Sequence, residues 1–347
     1  MRENLTSYIQ SLIENQHPFL LLRKANDNLV RIISQKDKKW HKSAPDNMTY
    51  AVFSKFEKTE NQVFIPCEVY KEFTYESAAF SLDQKLHESE LMDEKERSRY
   101  AQLVKKAIKM LKESAVKKVV LSRVQEVTKR TNDLEILEAL LQSYAAANCY
   151  FFSHPKVGKW MGATPEILAA ITGDKLKTMS LAGTAIFNPD GNHIWGKKEI
   201  EEQQLVTDFI VENLNNCGVN DLVISDVQTS RAGNLIHLKT DISATIDSSR
   251  KEDYIDALHP TPAVCGLPRD KAQRFIQDNE GYDRSFYTGY LGIVEASQAN
   301  YFVNLRCMQL FENKVKIYVG GGITALSNPI LEYDETVQKL ITMKRLL

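Results

Sequence analysis

Apolar positions along the chain switch between two periods. Leu5, Ile9, Leu12 and Ile13 recur at helical spacing, and the short runs 19–22, 29–33, 50–53 and 63–66 that follow predict strands. Residues 81–97 are acidic and polar and predict a surface connection. Tyr100, Leu103, Val104, Ala107, Ile108 and Leu111 fall at i, i+3, i+4, i+7, i+8 and i+11, the pattern of an amphipathic helix. Residues 117–123 read as a strand by their β-branched run. Alternation puts Lys118, Val120 and Ser122 on one face and Val119, Leu121 and Arg123 on the other. A helix over 133–146 leads to short strands around 150–153 and 160–163. A second amphipathic helix over 196–214 turns Val206, Phe209, Ile210 and Leu214 inward; a strand over 235–246 follows, and a further helix opens at Pro268.

The last stretch is the richest in chemistry. Residues 301–310 and 314–319 form two β-like runs joined by the polar turn Phe311-Glu312-Asn313. Gly320-Gly321-Gly322 then predicts a side-chain-free loop, and Asn328 with Pro329 predicts the capped start of a helix. On that helix Ile330, Tyr333, Val337, Leu340, Ile341 and Lys344 mark the inner face, while Glu332, Glu335 and Lys339 share one stripe. Arg306, expected on the first of the two strands, can fork onto a carboxylate. Bare backbone amides can approach an anion, and carboxylate oxygens suit Mg²⁺. Together they suit a small poly-anion held partly through a divalent metal; a plain hairpin and a solvated helix face fit the spacing as well.

Other candidates are scattered upstream. Lys118 enters an apolar strand; a strand-end charge accounts for that, but burial would disfavour its charged form and make it a usable base. Glu166 stands between Pro165 and an apolar run, a place where a strand opens onto a cavity. Residues 178–185 are small and apolar around Gly183, so a ligand could reach their backbone. Glu199, Glu201 and Glu202 crowd the first turns of a helix, where carboxylates are favourable by roughly 0.3–1 kcal/mol each whatever their function. His237 lies among apolar neighbours, as a hydrogen-bonded core histidine also would. The order of strands and helices does not repeat as βαβ units, so the fold class is α+β. No repeat or linker divides the chain, which reads as one domain over residues 1–347.

Composition removes several function classes. A net charge of −1 provides no basic field for nucleic acid or a membrane surface. The N-terminus is polar without an apolar core, so no secretion signal is expected, and the run 19–22 is too short to span a bilayer. The five cysteines (Cys67, Cys149, Cys217, Cys265 and Cys307) are scattered without a CxxC pair, which argues for reduced thiols in a cytoplasm and against a zinc site.

Eight motifs in order, KVVLSR (118–123), GATPEIL (162–168), LAGT (181–184), KEIEEQQLV (198–206), HPTPAVCG (259–266), NLRC (304–307), GGGI (320–323) and EYDET (332–336), resemble the chorismate-utilising enzymes. That family includes isochorismate, anthranilate, aminodeoxychorismate and salicylate synthases. The resemblance covers about residues 100–347, with 1–90 matching loosely and read as scaffold. It is nearest the isochorismate synthases. The family's base lysine falls on Lys118, where ammonia-using members carry glutamine; Ala182 stands where aminodeoxychorismate synthases carry a lysine nucleophile; and HPTPAVCG has the isochorismate-type Pro-Ala at Ala263. KEIEEQQ departs from the family's usual pattern by placing Gln203, not histidine, beside Glu202.

The resemblance implies two large, mostly antiparallel sheets packed face to face, helices outside, and a cleft between them. It implies Mg²⁺-dependent conversion of chorismate to isochorismate by water addition at C2 and loss of the C4 hydroxyl. Lys118 would be the base and Glu166 the acid; Glu202, Glu335 and Glu332 would hold Mg²⁺. Arg306, Gly320, Lys339, His237, Gly183, Thr184 and Ala263 would bind the substrate. The alternatives are a salicylate synthase, which adds pyruvate elimination, and a non-catalytic binding protein on the same fold. A monomer without a glutamine amidotransferase subunit is expected, its product serving menaquinone or siderophore synthesis.

Overall fold

The computed structural model describes residues 2–46, 48–57, 62–76, 93–189, 193–233 and 235–347. Eighteen strands among these residues form two antiparallel sheets of nine. From edge to edge the first runs Gly266–Leu267, Lys118–Thr128, Lys314–Ile323, Cys307–Leu310, Gly158–Thr164, Asn148–His154, Phe19–Arg23, Leu29–Ser34 and Val69–Thr74. The second runs Asn220–Ile224, Leu235–Thr245, Lys175–Ile186, Ile167–Thr172, Gln298–Val303, Tyr290–Val294, Tyr50–Ser54 and Val63–Pro66, with Gln228–Ala232 also paired to Leu235–Thr245. The fold is α+β, as expected. The N-terminal strands complete the outer ends of both sheets.

Strand alternation explains how the layers stack. In Phe19–Arg23, Phe19 and Leu21 meet the Arg2–Glu14 and Asp133–Ser143 helices through Leu5, Ile9, Ile136 and Leu140. Leu20 and Leu22 point the other way, into a core shared by both sheets with Phe53, Phe152, Trp160 and Leu291. Because both faces are covered, that strand is a continuous apolar run with no polar alternation. Phe53 stacks on Phe286 with ring centroids 4.3 Å apart. The second sheet is covered by the Lys197–Asn216 helix, whose Val206, Phe209, Ile210 and Leu214 pack on Leu168, Ile171 and Ile242. No helix among the described residues is long and apolar enough to cross a membrane.

The chain passes between the sheets at two neighbouring places. Pro165-Glu166 links Gly158–Thr164 in the first sheet to Ile167–Thr172 in the second; Asn304-Leu305-Arg306 links Gln298–Val303 in the second to Cys307–Leu310 in the first. The crossings are tied together by Val303 N–H donating to Glu166 O at 3.1 Å, Ala163 N–H to Arg306 O at 3.0 Å, and Thr164 Oγ1 to Val303 O at 2.6 Å.

Several expectations need correction. The run 301–310 is two strands in two sheets, broken where Arg306 takes φ +46°; its apolar residues continue through the break because both halves are buried. The three glycines are not a loop. They belong to the Lys314–Ile323 strand, with Gly320, Gly321 and Gly322 opposite Ser122, Leu121 and Val120. Ile330 is 41% exposed, because the first turn of the Pro329–Lys344 helix stands clear of the sheet. The helix expected over 133–146 ends at Ser143. Of the connection expected over 81–97, residues 81–92 lie outside the described residues, and the helix Glu94–Glu113 starts on Asp93, which accepts from Lys95 N and Glu96 N.

Candidate active site

The two crossings, the glycine strand and the C-terminal helix enclose a cleft of about 690 Å³ including its open mouth. Ten of the twelve site residues singled out in the sequence reach its wall directly: Glu166, Gly183, Thr184, Glu202, His237, Ala263, Arg306, Gly320, Glu335 and Lys339. Lys118 and Glu332 do not line it; each is buried just behind the wall.

Lys118 is fully buried at the start of its strand, on the face predicted by alternation and shared with the cleft-lining Val120. Its Nζ lies 2.9 Å from Glu202 Oε1. The two atoms are not aligned for a hydrogen bond, so the ammonium has a counter-charge there but no hydrogen-bond partner among the described residues. Gly322 makes this contact possible. A Cβ at that position would stand 2.2 Å from Glu202 Oε1 and 2.9 Å from Lys118 Cε. The glycines thus provide close approach of side chains to the sheet, which is why a strand carries them.

Glu166 is 2% exposed, and burial pushes its carboxyl up to about 8 against the opposing pull of the Lys118 charge. It is protonated at neutral pH.

The other end of the cleft is basic. Arg306 donates through one terminal nitrogen to Thr342 Oγ1 at 3.1 Å and through the other to His237 Nε2 at 3.2 Å. His237 Nδ1 in turn donates to Gly183 O at 2.9 Å. Burial, with Arg306 and Lys339 adding to it, lowers the His237 pKa to about 3, so the ring is neutral, with its proton on Nδ1 and Nε2 accepting. His237 therefore sets the arginine's orientation. Gly183 sits at a β-bulge with φ +66°, where a side chain would also meet Glu199 Cβ at 3.2 Å.

The three acidic candidates converge on the glycines. Glu332 Oε2 and Glu335 Oε1 each lie 3.6 Å from where a Gly321 Cβ would be. Each carboxylate also holds one lysine: Glu202 with Lys118 at 2.9 Å, Glu332 with Lys198 at 2.6 Å, and Glu335 with Lys339 at 2.7 Å. Among the described residues no three acidic, histidine or cysteine side chains form a ready-made metal cluster; neighbouring carboxylates repel one another and each takes the nearest ammonium. Burial and the Glu335 charge raise the Glu332 pKa against Lys198. Burial would raise Glu335 too, but Lys339 and Lys198 outweigh it and hold it below the usual carboxylate range.

Sequence reasoning missed Tyr287, Thr288, Leu305 and Tyr318 in the wall, which carry no spacing signal. It also missed Lys198, which does: it lies four residues before Glu202 on one helix face.

An acid and an arginine grip in one cleft, with a buried lysine just behind its wall, are the equipment of an enzyme acting on a small carboxylic acid. The sequence model of the chorismate binding enzymes matches residues 47–347, and the chain belongs to that family. It is 32% identical over 278 residues, 76% of this chain and 71% of the relative, to the isochorismate synthase EntC of Escherichia coli (strain K12). To the isochorismate synthase MenF of Pasteurella multocida (strain Pm70) it is 27% identical over 318 residues, 87% of this chain and 73% of the relative. Its fold superposes on the menaquinone-specific isochorismate synthase MenF of Escherichia coli with a TM-score of 0.81 at 20% identity, covering 96% of this chain and 89% of that one. Anthranilate synthase component I of Streptococcus pneumoniae TIGR4 gives 0.70 at 17% identity, covering 94% and 92%.

Proposed function

We propose that this chain is an isochorismate synthase, adding water at C2 of chorismate and expelling the C4 hydroxyl as the double bonds shift. One observation carries the reading: a carboxyl kept protonated at neutral pH lines the cleft, and a buried lysine lies directly behind its Gly322 wall, beside Glu202. Glu166 donates a proton to the departing hydroxyl, and Lys118, once it has given up its own proton, takes one from the attacking water. Arg306, held by His237 and Thr342, grips the enolpyruvyl carboxylate. Gly320 keeps its part of the wall free of a side chain; a Cβ there would stand 2.7 Å from Leu121 O and 3.0 Å from Tyr287 Oη. Lys339, Thr184 and Ala263 complete the wall.

The donor set fits a divalent cation. Hard carboxylate oxygens meet near Gly321, and buried Glu332 Oε2 makes no aligned hydrogen bond among the described residues. Glu332, Glu335 and Glu202 would hold Mg²⁺, which when bound neutralises and orients the ring carboxylate. Glu335→Gln should raise the Mg²⁺ concentration needed for half-maximal activity by about 10-fold or more; an unchanged metal titration removes Glu335 from the ligand set. The same reading takes residues 1–347 as one chorismate-binding domain, because the strands between 19 and 74 complete both sheets and form none of their own.

The test is to give the purified protein chorismate with and without Mg²⁺, without ammonia, and to separate the products by chromatography. Mg²⁺-dependent isochorismate without pyruvate is expected. Salicylate with pyruvate would move the activity to the lyase branch, and no turnover would leave a binding protein.

A further inference from the structure

Lys198 stands one helical turn before Glu202 and reaches across to the C-terminal helix, where its Nζ lies 2.6 Å from Glu332 Oε1. The contact is enclosed: the Lys198 side chain is 23% exposed and that of Glu332 only 2%. One oxygen of this carboxylate is therefore tied. The other, Oε2, makes no aligned hydrogen bond among the described residues, although the Ser327 hydroxyl also acts on this carboxylate and works to lower its pKa, and it faces the position by Gly321 that Glu335 Oε1 also approaches. A carboxylate held by one oxygen presents the other in a fixed direction, and ligating carboxylates are themselves hydrogen-bonded in this way.

We propose that Lys198 is a positioning residue for the divalent cation: it fixes the Glu332 carboxylate with Oε2 turned toward Glu335 and thereby sets the metal affinity of the site. Lys198 faces the carboxylates of Glu332, Glu335 and Glu202, whose charges oppose the cost of burying its ammonium. Its charge opposes a second cation while its hydrogen bond orients a ligand for it. The enclosed short contact and the second oxygen without an aligned hydrogen bond give the orienting effect the larger share. The inference rests on the metal ligands proposed above.

The experiment is Mg²⁺ binding by titration calorimetry on the whole chain, wild type against Lys198→Met and Lys198→Arg, with a thermal melt of each in metal-free buffer. Lys198→Met should raise the Kd by about 10- to 100-fold, and Lys198→Arg, which keeps a charged donor, should recover most of it. A melting point that falls in Lys198→Met while the Kd stays at the wild-type value would make the pair merely structural and overturn the inference. A tighter Kd would overturn it too, by showing that charge repulsion dominates. Should the methionine variant not fold, Lys198→Leu, which likewise keeps neither donor nor charge, takes its place: a Kd raised severalfold supports the inference and a wild-type Kd overturns it. Wild-type protein that takes up no Mg²⁺ would remove the ligand set itself, whereas a change confined to the variants bears on Lys198 alone.

Discussion

Lys118→Gln is expected to lose about 10²–10⁴-fold in isochorismate formation while still binding Mg²⁺ and chorismate. Glutamine has nearly the reach of lysine and can still donate to Glu202 Oε1, which the Lys118 ammonium approaches to 2.9 Å, but it has no basic nitrogen for the attacking water. Lys118→Ala removes the same base and also leaves Glu202, 11% exposed at its side chain, without its counter-charge. Breaking a buried pair in this way costs about 3–5 kcal/mol, so the alanine variant should melt earlier as well as fail to turn over. Comparing the two by product chromatography and thermal melting separates chemistry from stability. A glutamine variant near wild-type turnover would end the base assignment.

Glu166→Gln should be as damaging to turnover, by about 10²–10⁴-fold, with a different effect on stability. The folded pKa of Glu166, about 8, lies above its ordinary 4.5. Its protonated carboxyl therefore contributes fully below about pH 4.5, and that contribution is lost as pH rises toward 8, amounting to roughly 5 kcal/mol in all. The glutamine variant carries no such group. Between pH 5 and 8 the melting temperature of wild type should fall relative to that of Glu166→Gln, and wild-type kcat should decline above a pH near 8 as the acid is lost. Parallel melting curves across that range would mean that Glu166 is ionised in the folded chain and cannot be the acid.

The sequence carried a great deal of this fold, for identifiable reasons. Lys118 could be placed because a β-branched strand alternates without exception, and its partners Val120 and Ser122 share its face in the structure. Asn328 and Pro329 announced a helix because capping is a local matter, and Asn328 does accept from Ile330 N and Leu331 N. The crossing at Asn304-Leu305-Arg306 was invisible, since a strand leaving one sheet for another stays buried and keeps its apolar pattern. Three consecutive glycines suggested a loop, because what forbids a side chain at Gly322 is Glu202 and Lys118, brought from 120 or more residues away in the chain. Periodicity brought Glu332, Glu335 and Lys339 onto one stripe, but the pairing of Glu332 with Lys198 depends on two helices meeting, which no local pattern records.

The three lysine–carboxylate pairs have a consequence for how ligands enter. Their charges cancel, which leaves Arg306 to give the cleft a single net positive charge beside the neutral His237 and Glu166. A dication arriving alone adds to a site that is already positive, and a dicarboxylate arriving alone turns it negative. Arriving together they leave the balance as it was. Metal and substrate should therefore strengthen each other's binding, and linkage requires the factor to be the same in both directions: the Mg²⁺ Kd measured with a non-reacting dicarboxylate analogue present should fall by the ratio in which Mg²⁺ tightens the analogue.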